Sequence, residues 1–276
     1  IYYSRKANAI HSCQPTYKRD NYQNNYFQNR TRQSKSMLKK ATIDYQDKDT
    51  LLEGYYVYDD SVQNKRPGIL VCHDWSGKND FAKQKAEQLA ELGYVGFALD
   101  LYGKGKIGTS NEEKSALMQP LINDRQHVLL PRMLAAWNTM KSLPQVDTQQ
   151  TGAIGFCFGG LCALDLARSG VDIQAIASFH GLLNPLSHPT NAPIKAKILA
   201  FHGFEDPMVP PELLIGFANE MTKAKANWEI DIYGHTQHAF TNPTANDPQS
   251  GLIYQPLAAT RSFQSLINFL AETFKN

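Results

Sequence analysis

The 276 residues fit one large domain, since a single hydrophobic core grows to roughly 250–300 residues before a chain divides. A 42% hydrophobic and 20% charged composition is that of a soluble globular protein, and no apolar run approaches the roughly 18 residues of a membrane span. The net charge of +2 is uneven: residues 1–36 hold seven basic side chains and one acidic one, so the remainder carries −4 and lacks the clustered Lys/Arg of a nucleic-acid binder.

Residues 1–36 are rich in Asn, Gln, Tyr and basic side chains and show neither hydrophobic periodicity nor a secretory apolar core. They read as a disordered or non-native extension ahead of Met37, with an organelle transit peptide as the alternative. The sequon Asn29-Arg30-Thr31 would matter only in a secreted protein and is read as a chance occurrence. The folded domain is expected over residues 37–276. Residues 41–45 and 51–58 alternate around Asp47-Lys48-Asp49 and predict an antiparallel hairpin. Six short apolar runs follow, at 68–72, 95–99, 152–156, 173–179, 197–201 and 228–233, of the kind buried on both faces of a parallel sheet.

Helical segments separate these runs. Residues 84–92 and 161–169 stop at Gly93 and Gly170, where a helix C-terminus favours a left-handed residue. Residues 111–143, interrupted by Pro120 and Pro131, predict one or two helices over the sheet edge. Phe263, Leu266, Ile267, Leu270 and Phe274 form the stripe of a last amphipathic helix. The alternation predicts an α/β fold, a mostly parallel central sheet with helices on both faces. Phe81, Phe97, Trp137 and Phe179 are expected in its core.

The segment Gly155-Phe156-Cys157-Phe158-Gly159-Gly160 runs from an apolar strand into a helix. It has the form of a nucleophile elbow with cysteine in place of serine, in which flanking glycines leave room for a strained turn. The helix N-terminus beyond it favours a thiolate and a developing oxyanion alike. A buried structural cysteine is the bland alternative. Later in the chain, Glu205 and Asp206 follow the run at 197–201, and His235 and His238 follow the run at 228–233. This is the nucleophile, acid, histidine order of such hydrolases. Asp206 and His238 are the candidate acid and base, and spacing alone leaves Glu205, His202 and His235 open. His73 beside Cys72 lacks a third ligand at metal-site spacing.

The elbow, His202-Gly203 with Asp206-Pro207 and Val209-Pro210, and Tyr233-Gly234 with His238-Ala239-Phe240-Thr241-Asn242-Pro243 together resemble the dienelactone hydrolase family. Val71-Cys72-His73-Asp74-Trp75-Ser76-Gly77 and Ala98-Leu99-Asp100-Leu101-Tyr102-Gly103 extend the likeness from about residue 41 to the C-terminus. The resemblance implies an α/β-hydrolase fold and a carboxylic ester hydrolase of the carboxymethylenebutenolidase type. It further implies a Cys157–His238–Asp206 triad, an oxyanion hole from the backbone N–H groups of Phe158 and Trp75, and no metal or other cofactor. Asp74 stands where the family's best-known members carry a glutamate that binds the resting thiol, one methylene longer; it is either a thiol gate or a loop carboxylate satisfied by amides. The family's namesakes bind a substrate carboxylate through arginines, for which Arg125, Arg132 and Arg261 are the candidates. A thioesterase or acyltransferase would use the same site, and a binding protein on a hydrolase scaffold is the reading outside enzymes. The expected partner is a small ester or lactone, with no nucleic acid or membrane. Four cysteines without a C-x-x-C pair suit the cytoplasm, and the chain is expected to be a monomer or weak dimer.

Overall fold

A computed structural model describes residues 37–189 and 192–274; the stretch 1–36 lies outside them. β1 (Leu38–Asp47) and β2 (Thr50–Asp59) form the expected hairpin, longer than the alternation indicated, because pairing continues from Asp47↔Thr50 out to Leu38↔Asp59. All six apolar runs become strands: β3 (Arg66–Cys72), β4 (Val95–Ala98), β5 (Val146–Phe156), β6 (Ala175–Phe179), β7 (Lys197–Gly203) and β8 (Asn227–Tyr233). They make one eight-stranded sheet in the order β1-β2-β4-β3-β5-β6-β7-β8. β3 to β8 pair in parallel, and β2 joins β4 antiparallel.

Helices cover both faces, as the alternation predicted. The helices are α1 (Asp80–Glu91), α2 (Asn111–Asn123), α3 (Leu130–Ser142), α4 (Phe158–Arg168), α5 (Pro211–Lys223) and α6 (Pro256–Thr273). Ile69, Val71, Ile154 and Leu199 pack with Ala82, Ala86 and Leu89 of α1 and Leu266 and Leu270 of α6. Their strand neighbours Leu70, Ala153 and Ile198 face the other way, onto Trp137 of α3, Leu161 of α4 and Phe217 of α5. Alternate residues of a strand thus feed two separate cores.

The region 111–143 departs from its reading. Pro120 does not break α2, for it sits exposed in the last turn, where its missing N–H costs one bond and the helix ends three residues later. A π-helical turn at Arg125–Leu129 follows and runs directly into α3, where Pro131 lies in the first turn and its fixed φ suits the helix. No helix among the described residues is long and apolar enough to cross a membrane.

The topology positions a site. From β3 the chain moves out to β4, then returns to β5 on the other side of β3. Connections that leave in opposite directions open a crevice at the carboxyl ends of the strands between them, the usual ligand position in open parallel sheets. Asp74 and Trp75 follow β3 and Cys157 follows β5.

Candidate active site

Cys157 joins β5 to α4 with φ 55° and ψ −118°, a conformation that costs an L-residue about 1–3 kcal/mol and persists only where its surroundings enforce it. Its N–H donates to Phe179 O at 3.0 Å, and its carbonyl accepts from Gly160 N at 2.9 Å. The two glycines are steric necessities. A Cβ on Gly155 would strike the backbone of Gly159, and one on Gly159 would strike the carbonyl oxygens of Cys72 and His73. Phe158 opens α4, so its N–H is among those that find no acceptor inside the helix.

His238, in the loop after β8, is wholly buried, and its Nδ1 lies 2.6 Å from Asp206 Oδ2. Asp206, in the loop after β7, is buried too, and its Oδ1 accepts the Met208 N–H at 2.8 Å. Burial alone would lower the basicity of His238. Negative charge on Cys157 and the hydrogen bond to Asp206 outweigh that penalty and raise the imidazole to about 10. Nε2 meets no partner at strict hydrogen-bond geometry, although Cys157 lies close enough to act on it.

The rivals go elsewhere. Glu205 and His235 pair with each other at the surface. His202 is buried and held below its ordinary range by desolvation, partly offset by Asp206 and reinforced by the positive charge on His238. His73 uses both ring nitrogens, with Nδ1–H donating to Asp74 O at 2.6 Å and Nε2 accepting from Leu101 N at 3.3 Å.

Cys157, His238, Asp74 and Trp75 share the lining of a cavity of about 340 Å³. Asp74 Oδ1 accepts the Ser76 N–H at 2.8 Å, so this carboxylate serves at least one loop amide. The far wall is a small hairpin missed from the sequence, β9 (Asn246–Asp247) with β10 (Leu252–Ile253). Strands this short leave no periodicity to read. The hairpin also fixes the histidine loop, since Ile253 N donates to His238 O and Gln255 N to Phe240 O, both at 3.1 Å.

A cysteine on an elbow and a buried imidazole that line one cavity, with a buried carboxylate bonded to the imidazole, accompany the match of residues 52–274 to the dienelactone hydrolase family model. The chain belongs to that family. It is 37% identical to a solved structure titled m3DLH, covering 86% of this chain and 99% of that one with a TM-score of 0.82. A dienelactone hydrolase-like promiscuous phosphotriesterase, P91 from metagenomic libraries, is 33% identical over 86% of this chain and 98% of its own, with a TM-score of 0.81. A Bradyrhizobium sp. protein named "Probable 2-oxo-3-(5-oxofuran-2-ylidene)propanoate lactonase" is 27% identical across 76% of this chain and 85% of its own. As a member of the dienelactone hydrolase family, the chain is a hydrolase acting on lactone or ester bonds.

Within this family framework the candidate arginines do not line the cavity. Arg125 is committed to Asp165, through two bonds of 2.7 and 2.6 Å, and to the carbonyls of Pro185 and Asn184. Arg132 donates to Leu101 O, and Arg261 lies exposed on α6. The cation that does line the cavity is Lys114 of α2, its Nζ 5.4 Å from the centre of the Trp75 ring. His180, at the end of β6, also lines it and was invisible in the sequence, because its run ended as a buried strand with no motif to mark the next residue.

Proposed function

We propose that this chain hydrolyses lactones or small carboxylic esters through a thioester on Cys157, in the manner of a carboxymethylenebutenolidase. The observation that carries the reading is the buried His238, bonded to Asp206 on one ring edge and electrostatically coupled to Cys157 on the other. In this scheme Cys157 passes its proton to His238 and the resulting thiolate attacks the carbonyl carbon. The N–H groups of Phe158 and Trp75 hold the oxyanion. Collapse expels the alkoxide, which takes a proton from His238, and leaves the thioester. His238 then deprotonates water, which attacks the thioester, releases the acid and returns the proton to sulfur. Asp206 orients the imidazole and stabilises its protonated form. Asp74 acts as a gate on the resting thiol.

The lactone named for the Bradyrhizobium relative supports small lactones as the first substrates to try. The P91 likeness adds phosphotriesters as a second class, in which the same thiolate would attack phosphorus. Cys72, Cys157 and Cys162 are free thiols, which supports a reducing, cytoplasmic setting. The test is a panel of chromogenic short-chain esters, dienelactone and a phosphotriester, run with and without iodoacetamide. Turnover abolished by the alkylator is the expected result. Full turnover after complete alkylation of Cys157, or no turnover of any member, would overturn the reading.

A further inference from the structure

His180 is built into the site without a part in the scheme above. It follows β6 with φ 38°, a backbone setting uncommon outside glycine, while its N–H donates to Phe201 O at 2.8 Å. The side chain is buried, and its Nε2 lies 2.8 Å from Thr241 Oγ1. Thr241 is three residues beyond His238 on the same loop. The His180 ring also stands edge-on to the His238 ring, with centres 5.1 Å apart at 63°, and to the Phe240 ring at 5.1 Å and 77°. One side chain therefore touches the loop at three points around the imidazole that the chemistry needs.

We propose that His180 is a positioning residue: through Thr241 and its ring contacts it fixes the loop that aims His238 between Asp206 and Cys157. The inference rests on the triad reading. Its role depends on His180 remaining uncharged, because two imidazolium rings about 5 Å apart in a buried site would repel. Burial and the neighbouring positive charge of His238 both hold His180 well below the ordinary histidine range. Asp206 and His202 face His238 from the β7 end, Cys157 faces it from the elbow, and Asp74, Lys114 and Asp247 lie around the cavity. The carboxylate bonded to an imidazole in this group is Asp206, on His238, whereas His180 has a hydroxyl. The proton therefore belongs on His238.

The test uses the full chain carrying His180→Phe, which keeps the ring and loses the bond, Thr241→Val, which cuts the same bond from its other end, the double variant, and His180→Gln, whose amide can still reach the hydroxyl. Steady-state ester hydrolysis is paired with a histidine-labelled NMR titration of His238. His180→Phe and Thr241→Val should each lower kcat about ten- to hundredfold with KM within about twofold, as expected for misaligned reacting groups. The His238 titration should move down by at least about half a unit. The double variant should be no worse than the poorer single one, since both cut one link. His180→Gln should recover most of the loss. Multiplying effects in the double variant, or an unmoved His238 titration in both singles, would overturn the proposal. If His180→Phe does not fold, Thr241→Val carries the same comparison. The titration needs no substrate, so it decides the role of His180 even if no ester is turned over, which would refute the hydrolytic reading alone.

Discussion

Glu205 and His235 pair at 3.2 Å on the surface, one residue from Asp206 and three from His238, the two that pair in the interior. Adjacent positions on the same two loops thus hold one exposed contact and one wholly shielded hydrogen bond. An exposed pair contributes little. Glu205→Gln and His235→Gln should therefore leave ester turnover within about threefold of the parent, less than roughly 0.7 kcal/mol of barrier. Asp206→Asn and His238→Gln should each lower kcat by about 10³-fold or more. Comparable losses from the surface pair would reverse the assignment.

Cys157 is partly exposed beside His238, whereas Cys72 and Cys162 are buried and desolvation pushes both thiols upward. Iodoacetamide near neutral pH should label Cys157 ahead of Cys72 and Cys162, because attack requires both access and a thiolate. Peptide mapping after partial alkylation reads the order. Cys157→Ala should abolish turnover while the melting temperature stays within a few degrees of the parent.

Asp74→Asn keeps an acceptor for the Ser76 amide but removes a charge from the cavity that Cys157 shares. A carboxylate near sulfur opposes ionisation by like-charge repulsion, so the variant should be alkylated faster. If Asp74 releases the thiolate only when substrate enters, turnover should at the same time fall. Measuring both rates against pH separates the two roles; two profiles within about threefold of the parent would leave Asp74 a loop cap.

Gly159→Ala should be severely destabilising, since its Cβ would meet the backbone carbonyls of Cys72 and His73, which cannot swing aside as a flexible side chain can. A loss at or above the roughly 1–3 kcal/mol typical of overpacking is expected from urea unfolding. An unperturbed midpoint would mean that α4 shifts freely against β3.

Stability should peak near neutrality and decline on both sides. His238 titrates at about 10 in the fold against about 6.5 unfolded, so its contribution is complete below 6.5 and is lost as pH rises toward 10. Desolvation depresses His73, His180 and His202, so their contribution is present above about 6.5 and is lost as pH falls below it. Melting temperature measured from pH 5 to pH 10 tests both limbs. His238→Gln should flatten the alkaline one and spare the acid one.

Local chemistry was legible along the chain. The run 152–156 followed by Gly-x-Cys-x-Gly-Gly announced its own turn, because the steric demand of the elbow falls on residues two positions either side of Cys157. The six apolar runs announced the sheet, because burial on both faces removes the polar alternation. Distances between loops carried no such signature. Glu205 and Asp206 differ by one step along the chain, yet one ends at the surface and the other against His238. Arg125 reads as a free cation in sequence and is consumed by Asp165 in space. His180, the β9–β10 wall and the cavity cation Lys114 likewise emerge only once β6, the loop after β8 and α2 converge on one sheet edge. Side chains such as Asp206 and His238, 32 positions apart, or His180 and Thr241, 61 apart, meet through packing, and spacing along the chain does not encode it.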